Sequence, residues 1–172
     1  ARLVNEVIQP NALISLHINA AAWPDEAAKQ LVDGDHAHVL IFGCLSEAEL
    51  ASPRQQLRLA RKLSNGSGPI EARLGAALGS ASAEATGLPA SNYLGRNAVR
   101  IDPDVPSLWA RNHMLRRLGD RPTVWIEPYI TNSHSSDARI QKELRAREHH
   151  EPRPADDILV EYADAVVTGV LR

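Results

Sequence analysis

The sequence predicts an α/β domain built on a mixed, mostly parallel sheet flanked by helices on both faces. Three observations lead there. Short apolar runs of strand length recur along the chain, each bounded by polar or turn residues. Between them lie longer segments in which apolar residues recur at helical spacing. The chain closes on a segment, Asp156 to Leu171, with Ile158, Leu159, Tyr162, Ala165, Val166 and Val170 on one face.

In chain order, Ala12-Leu13-Ile14-Ser15-Leu16 reads as the first strand and ends at His17. His38-Val39-Leu40-Ile41-Phe42 is the second and ends at Gly43. Ser52 caps a helix with Pro53 in its first position, running to about Leu63. Its Leu57, Ala60 and Leu63 recur at helical spacing, and Arg54, Arg58, Arg61 and Lys62 form the wet side. Ser64–Pro69 reads as a loop, and Ile70 to about Ala85 as an Ala-rich helix. Thr86–Asn92 is a turn or loop, followed by a weaker strand, Ala98-Val99-Arg100-Ile101. Leu108 to Leu118 reads as a helix stopped by Gly119. Thr123-Val124-Trp125-Ile126 is a strand ending at Glu127, and Ser136 to His149 is a polar helix. Arg147 to Asp157 is a charged connection that carries two prolines.

A chain of 172 residues fits one domain. With 44% hydrophobic and 23% charged residues it has the means for an ordinary core. Aromatics are only 4%, so that core rests on Leu, Ile, Val and Ala. A net charge of −2 gives no electrostatic case for nucleic acid or for an anionic membrane surface. No apolar run approaches the ~20 residues of a membrane-spanning helix. The single cysteine, Cys44, forms no intrachain disulfide and reads as a small core residue.

His17 and Glu127 stand at the carboxyl ends of apolar strands, where open α/β sheets bind ligands. An imidazole and a carboxylate at two such ends are parts that a metal-assisted hydrolase needs. Equally, both residues could simply cap their strands through hydrogen bonds. His36-Ala37-His38 is an i, i+2 pair that a strand would place on one side. It reads as exposed histidines at a strand start, with metal binding as the alternative. His149 and His150 read as solvated, and His113 as a partly buried helix residue.

The words around His17 and Glu127 add a resemblance. Ala12 to Ala20, with Ser15-Leu16-His17-Ile18-Asn19-Ala20 at its centre, resembles the "SIHANA" strand of the zinc-dependent N-acetylmuramoyl-L-alanine amidases. Arg2 and Asn5 look like that family's helix leading into the strand. Pro122 to Asn132, reading PTVWIEPYITN, resembles the later "P-x-VLVE-x-x-FISN" segment. Leu108 to Leu118, with Arg111-Asn112, looks like the helix before it, and Asp156–Leu171 like the closing helix.

This resemblance implies a phosphorylase/hydrolase-like sheet and a hydrolase that cuts the amide between N-acetylmuramic acid and L-alanine in peptidoglycan. It implies one zinc ion with His17 as a ligand and Glu127 as the catalytic carboxylate. The family's other two ligands belong to a "DPGHGG"-like first strand and a following Glu. Both are expected upstream of residue 1, with the first strands, so that 1–172 is the carboxyl-terminal portion of the catalytic domain. Asn19, Asn132 and His134 are candidate substrate contacts, Asn132 also shaping its loop. Peptidoglycan stem peptide and glycan are the implied partners, with an activator protein as a further one, in the periplasm or outside the cell. The acidic pair that often follows "SN" is replaced here by His134-Ser135-Ser136-Asp137, and the 21–35 and 72–101 segments are longer than the common pattern. Two other readings stay open: a wall-binding or regulatory module that keeps the fold without catalysis, and an unrelated α/β metallohydrolase using His17, His36 or His38 and Glu127.

Overall fold

The computed structural model describes residues 1–172 except 24, 26, 28, 94–97, 113–116, 119 and 120. Five strands form one sheet: β1 (Leu13–Leu16), β2 (Ala37–Phe42), β3 (Ala98–Arg100), β4 (Leu108–Arg111) and β5 (Thr123–Pro128). Their spatial order is β1-β5-β2-β4-β3. The β1–β5 and β2–β4 pairs are parallel, and β2–β5 and β3–β4 are antiparallel, so the sheet is mixed. The helices are α1 (Glu47–Leu50), α2 (Pro53–Ser64), α3 (Ser67–Thr86), α4 (His134–Glu148) and α5 (Ile158–Leu171). A π-helical turn, Leu3–Ile8, precedes β1, and its Asn5 Nδ2 donates to the Arg117 carbonyl at 3.1 Å.

Side chains alternate across each strand, so register decides which residues share a face. Val39 pairs with Ile126 and Leu108, Ile41 with Ala110, and Ile14 with Val124. These residues form the core with Leu78 of α3 and with Ile158 and Tyr162 of α5. The two helices cross closely because α5 carries Gly169. A Cβ there would stand 2.8 Å from the Leu78 Cα and 3.2 Å from the Ala77 carbonyl oxygen. α2 packs beside α3, with Lys62 Nζ 6.0 Å from the centre of the Phe42 ring at the end of β2. The same ammonium pairs with Glu71 of α3, which accepts the Thr123 N–H at 2.8 Å and fixes the start of β5. Burial pushes Lys62 down to about 8.

Several helix ends have a local cause. Ser46 and Glu49 close a capping box on α1. Ser133 caps α4 by accepting from the Ser136 N–H, and Asp157 caps α5 by accepting from Leu159 N–H. Gly87 ends α3 at φ +62°, a left-handed conformation that favours glycine.

The sequence reading needs three corrections here. On α2, Lys62, read as wet, is buried, and Leu57 and Leu63 are exposed. Leu108 to Arg111 is strand β4, not the start of a helix, and residues 113–116, including His113, lie outside the described residues. Ser67 to Pro69 is the first turn of α3, not loop. Cys44 packs against the core as a half-buried residue.

Candidate functional site

The face of the sheet opposite the core carries a row of aromatic and charged side chains. It begins on β1, where His17 continues the side that Ser15 shares with Trp125. The His17 ring stacks on Trp125 with centres 4.0 Å apart, and its Nε2 lies 2.9 Å from Ser15 Oγ. Trp125 Nε1 donates to Glu127 Oε1 at 2.5 Å. Glu127 stands opposite His38 in the β2–β5 register, and His38 Nε2 meets Glu127 Oε2 at 2.5 Å. Tyr93 continues the row: its hydroxyl is 3.2 Å from His38 Nε2, and its ring meets Trp109 of β4 edge-on at 5.2 Å.

The elements behind the row hold it from the core side. Tyr162 of α5 donates its hydroxyl to the Ile126 carbonyl at 2.8 Å and accepts the His17 N–H at 3.2 Å. That one oxygen clamps the ends of β1 and β5 together. After Pro128 the chain turns at Tyr129, which holds φ +68°, an uncommon conformation for a bulky residue. Its hydroxyl is held by Glu161 at 2.5 Å. Asp35 then fixes the following loop. One oxygen accepts the Ile130 N–H at 2.5 Å, and the other accepts the hydroxyls of Ser133, Ser135 and Ser136 at 2.8, 3.0 and 2.5 Å.

Electrostatics follow from this packing. Burial acts to raise the Glu127 carboxyl. The His38 hydrogen bond and charge, the Trp125 indole and the nearby His17 outweigh it, so the group sits below the usual carboxylate range. Glu127 is therefore ionised at neutral pH. A carboxylate has about four acceptor positions, and His38 and Trp125 occupy two of them. Burial, and then the neighbouring His38 charge, push the His36 imidazole below its ordinary value.

The sequence candidates fare differently. His17 and Glu127 come together on adjacent parallel strands with Trp125 between them. His38 is only 2% exposed, so the reading of His36 and His38 as an exposed pair is corrected. His38 is buried because Glu127 supplies the partner its imidazole needs. Its Nδ1 is buried without a hydrogen-bond partner among the described residues. Asn132 is buried, and both ends of its amide bind the Ala21 backbone, at 2.8 and 2.9 Å. Its amide therefore pins the loop. Asn19 lies half-buried in a bridge to Ile130, where its carbonyl accepts from Thr131. His134 opens α4 and reaches Asp33 at 3.9 Å. Sequence reasoning missed Asp35 and Tyr93. The Ser133, Ser135, Ser136 spacing was the one available signal for a buried acceptor nearby.

For zinc, the donors fit in part. His17 offers an imidazole at an exposed strand end beside an ionised carboxylate, the donor type of an open catalytic site. Among the described residues, no three His, Cys, Asp or Glu side chains converge to hold a metal ion. His38 gives its Nε2 to Glu127, so a closed site from His17, His36 or His38 and Glu127 is not formed.

Taken together, these strands and helices define an α/β domain whose mixed sheet carries its polar row at the ends of β1 and β5. The same fold occurs in solved amidase structures. The N-acetylmuramyl-L-alanine amidase of Mycobacterium smegmatis matches with a TM-score of 0.54 at 18% identity, over 95% of this chain and 54% of that one. The apo enzyme of that name from Mycobacterium abscessus matches with a TM-score of 0.54 at 18% identity, over 95% and 55%. This chain spans about half the length of those structures. No family model matches the sequence, and no curated protein sequence matches it. At this identity the likeness establishes the fold, and activity has to be argued from the site.

Proposed function

We propose that this chain belongs to a zinc-dependent peptidoglycan amidase that cuts the bond between N-acetylmuramic acid and L-alanine. The observation that carries the reading is the His17–Trp125–Glu127–His38 row, set at two strand ends in a fold shared with N-acetylmuramyl-L-alanine amidases. The reading places the protein at the cell wall, in the periplasm or outside the cell, with stem peptide and glycan as substrate and room for an activator protein. Among the described residues no helix is long and apolar enough to cross a membrane.

Glu127 is the general base. Its depressed pKa keeps it ionised, and its two remaining acceptor positions are free to take a proton from water. The proton then passes to the departing L-alanine amine. His38 and Trp125 fix the carboxylate so that no reorientation is needed during the transfer. Zinc, held by His17 with donors from beyond the described residues, would polarise the lactyl amide carbonyl. Tyr162 fixes the His17 backbone, and Trp125 the plane of its ring.

The test is release of stem peptides from purified peptidoglycan. The chain is assayed alone and extended upstream by about 70 residues, roughly half a typical domain, with bound zinc measured in parallel. Release that requires zinc and disappears in Glu127→Gln, with zinc retained, supports the reading. If neither form releases peptide, the reading of a wall-binding module without catalysis replaces it.

A further inference from the structure

Beyond His38 the row continues into a pair of arginines that the chemistry above does not use. Arg100 of β3 lies over Trp109, with its guanidinium carbon 4.9 Å from the ring centre. Arg111 of β4 lies over Tyr93, with its guanidinium carbon 5.4 Å from the ring centre. Arg2, Arg139, Arg147, Arg153 and Arg172 each pair with a carboxylate elsewhere in the molecule. Among the described residues neither Arg100 nor Arg111 has a carboxylate within ion-pair distance. Both instead rest on aromatic rings that hold them toward the site face, where Arg100 is exposed and Arg111 half-buried. A planar guanidinium with free donors, held by stacking, is suited to bind a carboxylate through paired hydrogen bonds.

Geometry limits where that carboxylate sits. From Arg111 the path runs over the Tyr93 ring, whose hydroxyl is 3.2 Å from His38 Nε2, to Glu127, 2.5 Å from that nitrogen. An extended peptide advances about 3.3–3.6 Å per residue. A carbonyl reacting beside Glu127 and a carboxylate held by Arg111 are therefore within reach of one short extended peptide. Resting on the amidase reading above, we propose that Arg111, supported by Arg100, binds a carboxylate on the peptide side of the substrate, within a short peptide's reach of the scissile amide. This subsite selects short-range acidity in the stem peptide, and Tyr93 links it to the His38–Glu127 pair.

The probes are N-acetylmuramoyl-L-alanyl-glycine, its carboxamide counterpart, and the N-acetyl-L-alanyl-glycine acid and amide that lack the sugar. Binding is followed by NMR on the Tyr93 and Trp109 rings, with chelator present to prevent turnover. We expect the muramoyl acid to bind at least tenfold tighter than its amide. Arg111→Gln and Arg100→Gln should narrow that preference, while Arg111→Lys should keep part of it. Equal binding of muramoyl acid and amide overturns the subsite and leaves the amidase reading standing. If only the sugar-free acid binds, and does so through Arg111, the subsite stands and the amidase reading falls. If no probe shifts either ring, both fall.

Discussion

The two faces of the sheet are made by alternate residues of the same strands, yet they obey different rules. On the core face Val39, Ile41, Leu108, Ala110, Val124 and Ile126 are apolar and packed by α3 and α5. On the other face His17, Trp125, Glu127 and His38 touch in turn through ring contacts and hydrogen bonds, and Tyr93 joins His38 to Trp109. His38 is as buried as its core neighbours, 2% against 1% for Val39. Burial therefore does not separate the faces. What separates them is whether a buried group depends on shape alone or on one specific partner.

The largest expected effect breaks the site face and spares the core. Glu127→Gln keeps the shape and hydrogen-bonding size of the side chain but removes the base. Release of stem peptide should fall by about 10²–10⁴-fold. The thermal unfolding curve should keep its single cooperative transition. Assay and melting, run on the same sample, separate a lost base from a lost fold. A rate unchanged within about threefold would mean that Glu127 is not the base.

The converse change breaks the core and spares the site. Leu78 is fully buried between the sheet and α5, so Leu78→Ala should cost about 2–5 kcal/mol of stability. A smaller core effect comes from Gly169→Ala. The added Cβ meets the backbone of α3, which cannot swing away as a flexible side chain could. Overpacking of this kind costs about 1–3 kcal/mol. Urea denaturation checks both, and release per folded molecule should remain near that of the parent.

Much of the core face was legible in the sequence, and little of the site face was. The β1, β2 and β5 strands stand out because each is an apolar run stopped by a polar or turn residue. β4 did not. Leu108-Trp109-Ala110 is fully buried, so its sequence shows no alternation, and a short buried strand cannot be told from a helical turn by periodicity. His17 and Glu127 were visible because each ends its own strand. His38 was misread as exposed because its partner lies 89 residues away. Tyr93 contacts His38 across 55 residues and leaves no local mark. Asp35 is similar, since a carboxylate beside Gly34 looks like a turn until Ser133 and Ser136 are folded against it.

The smallest expected effect sharpens the comparison most, because it tests one partner and leaves shape alone. Glu127 sits below the usual carboxylate range despite burial, owing chiefly to the His38 hydrogen bond and charge. In His38→Gln the amide nitrogen can still donate, but the charge is gone, and burial is then opposed less strongly. The Glu127 pKa should rise. A base is active above its pKa, so the acid limb of kcat/KM should move to higher pH, with the plateau nearly kept. Stability follows the same sign. A carboxylate with a depressed folded pKa stabilises the fold above its unfolded pKa and loses that contribution as pH falls through the folded value. His38→Gln should therefore lose this acid-range stabilisation at a higher pH than the parent. A core position of equal burial offers the control: Val39→Ala should lower stability by a similar amount at every pH and leave the limb in place. If His38→Gln behaves like Val39→Ala, the buried imidazole is packing only, and the distinction drawn between the two faces fails at its most buried point.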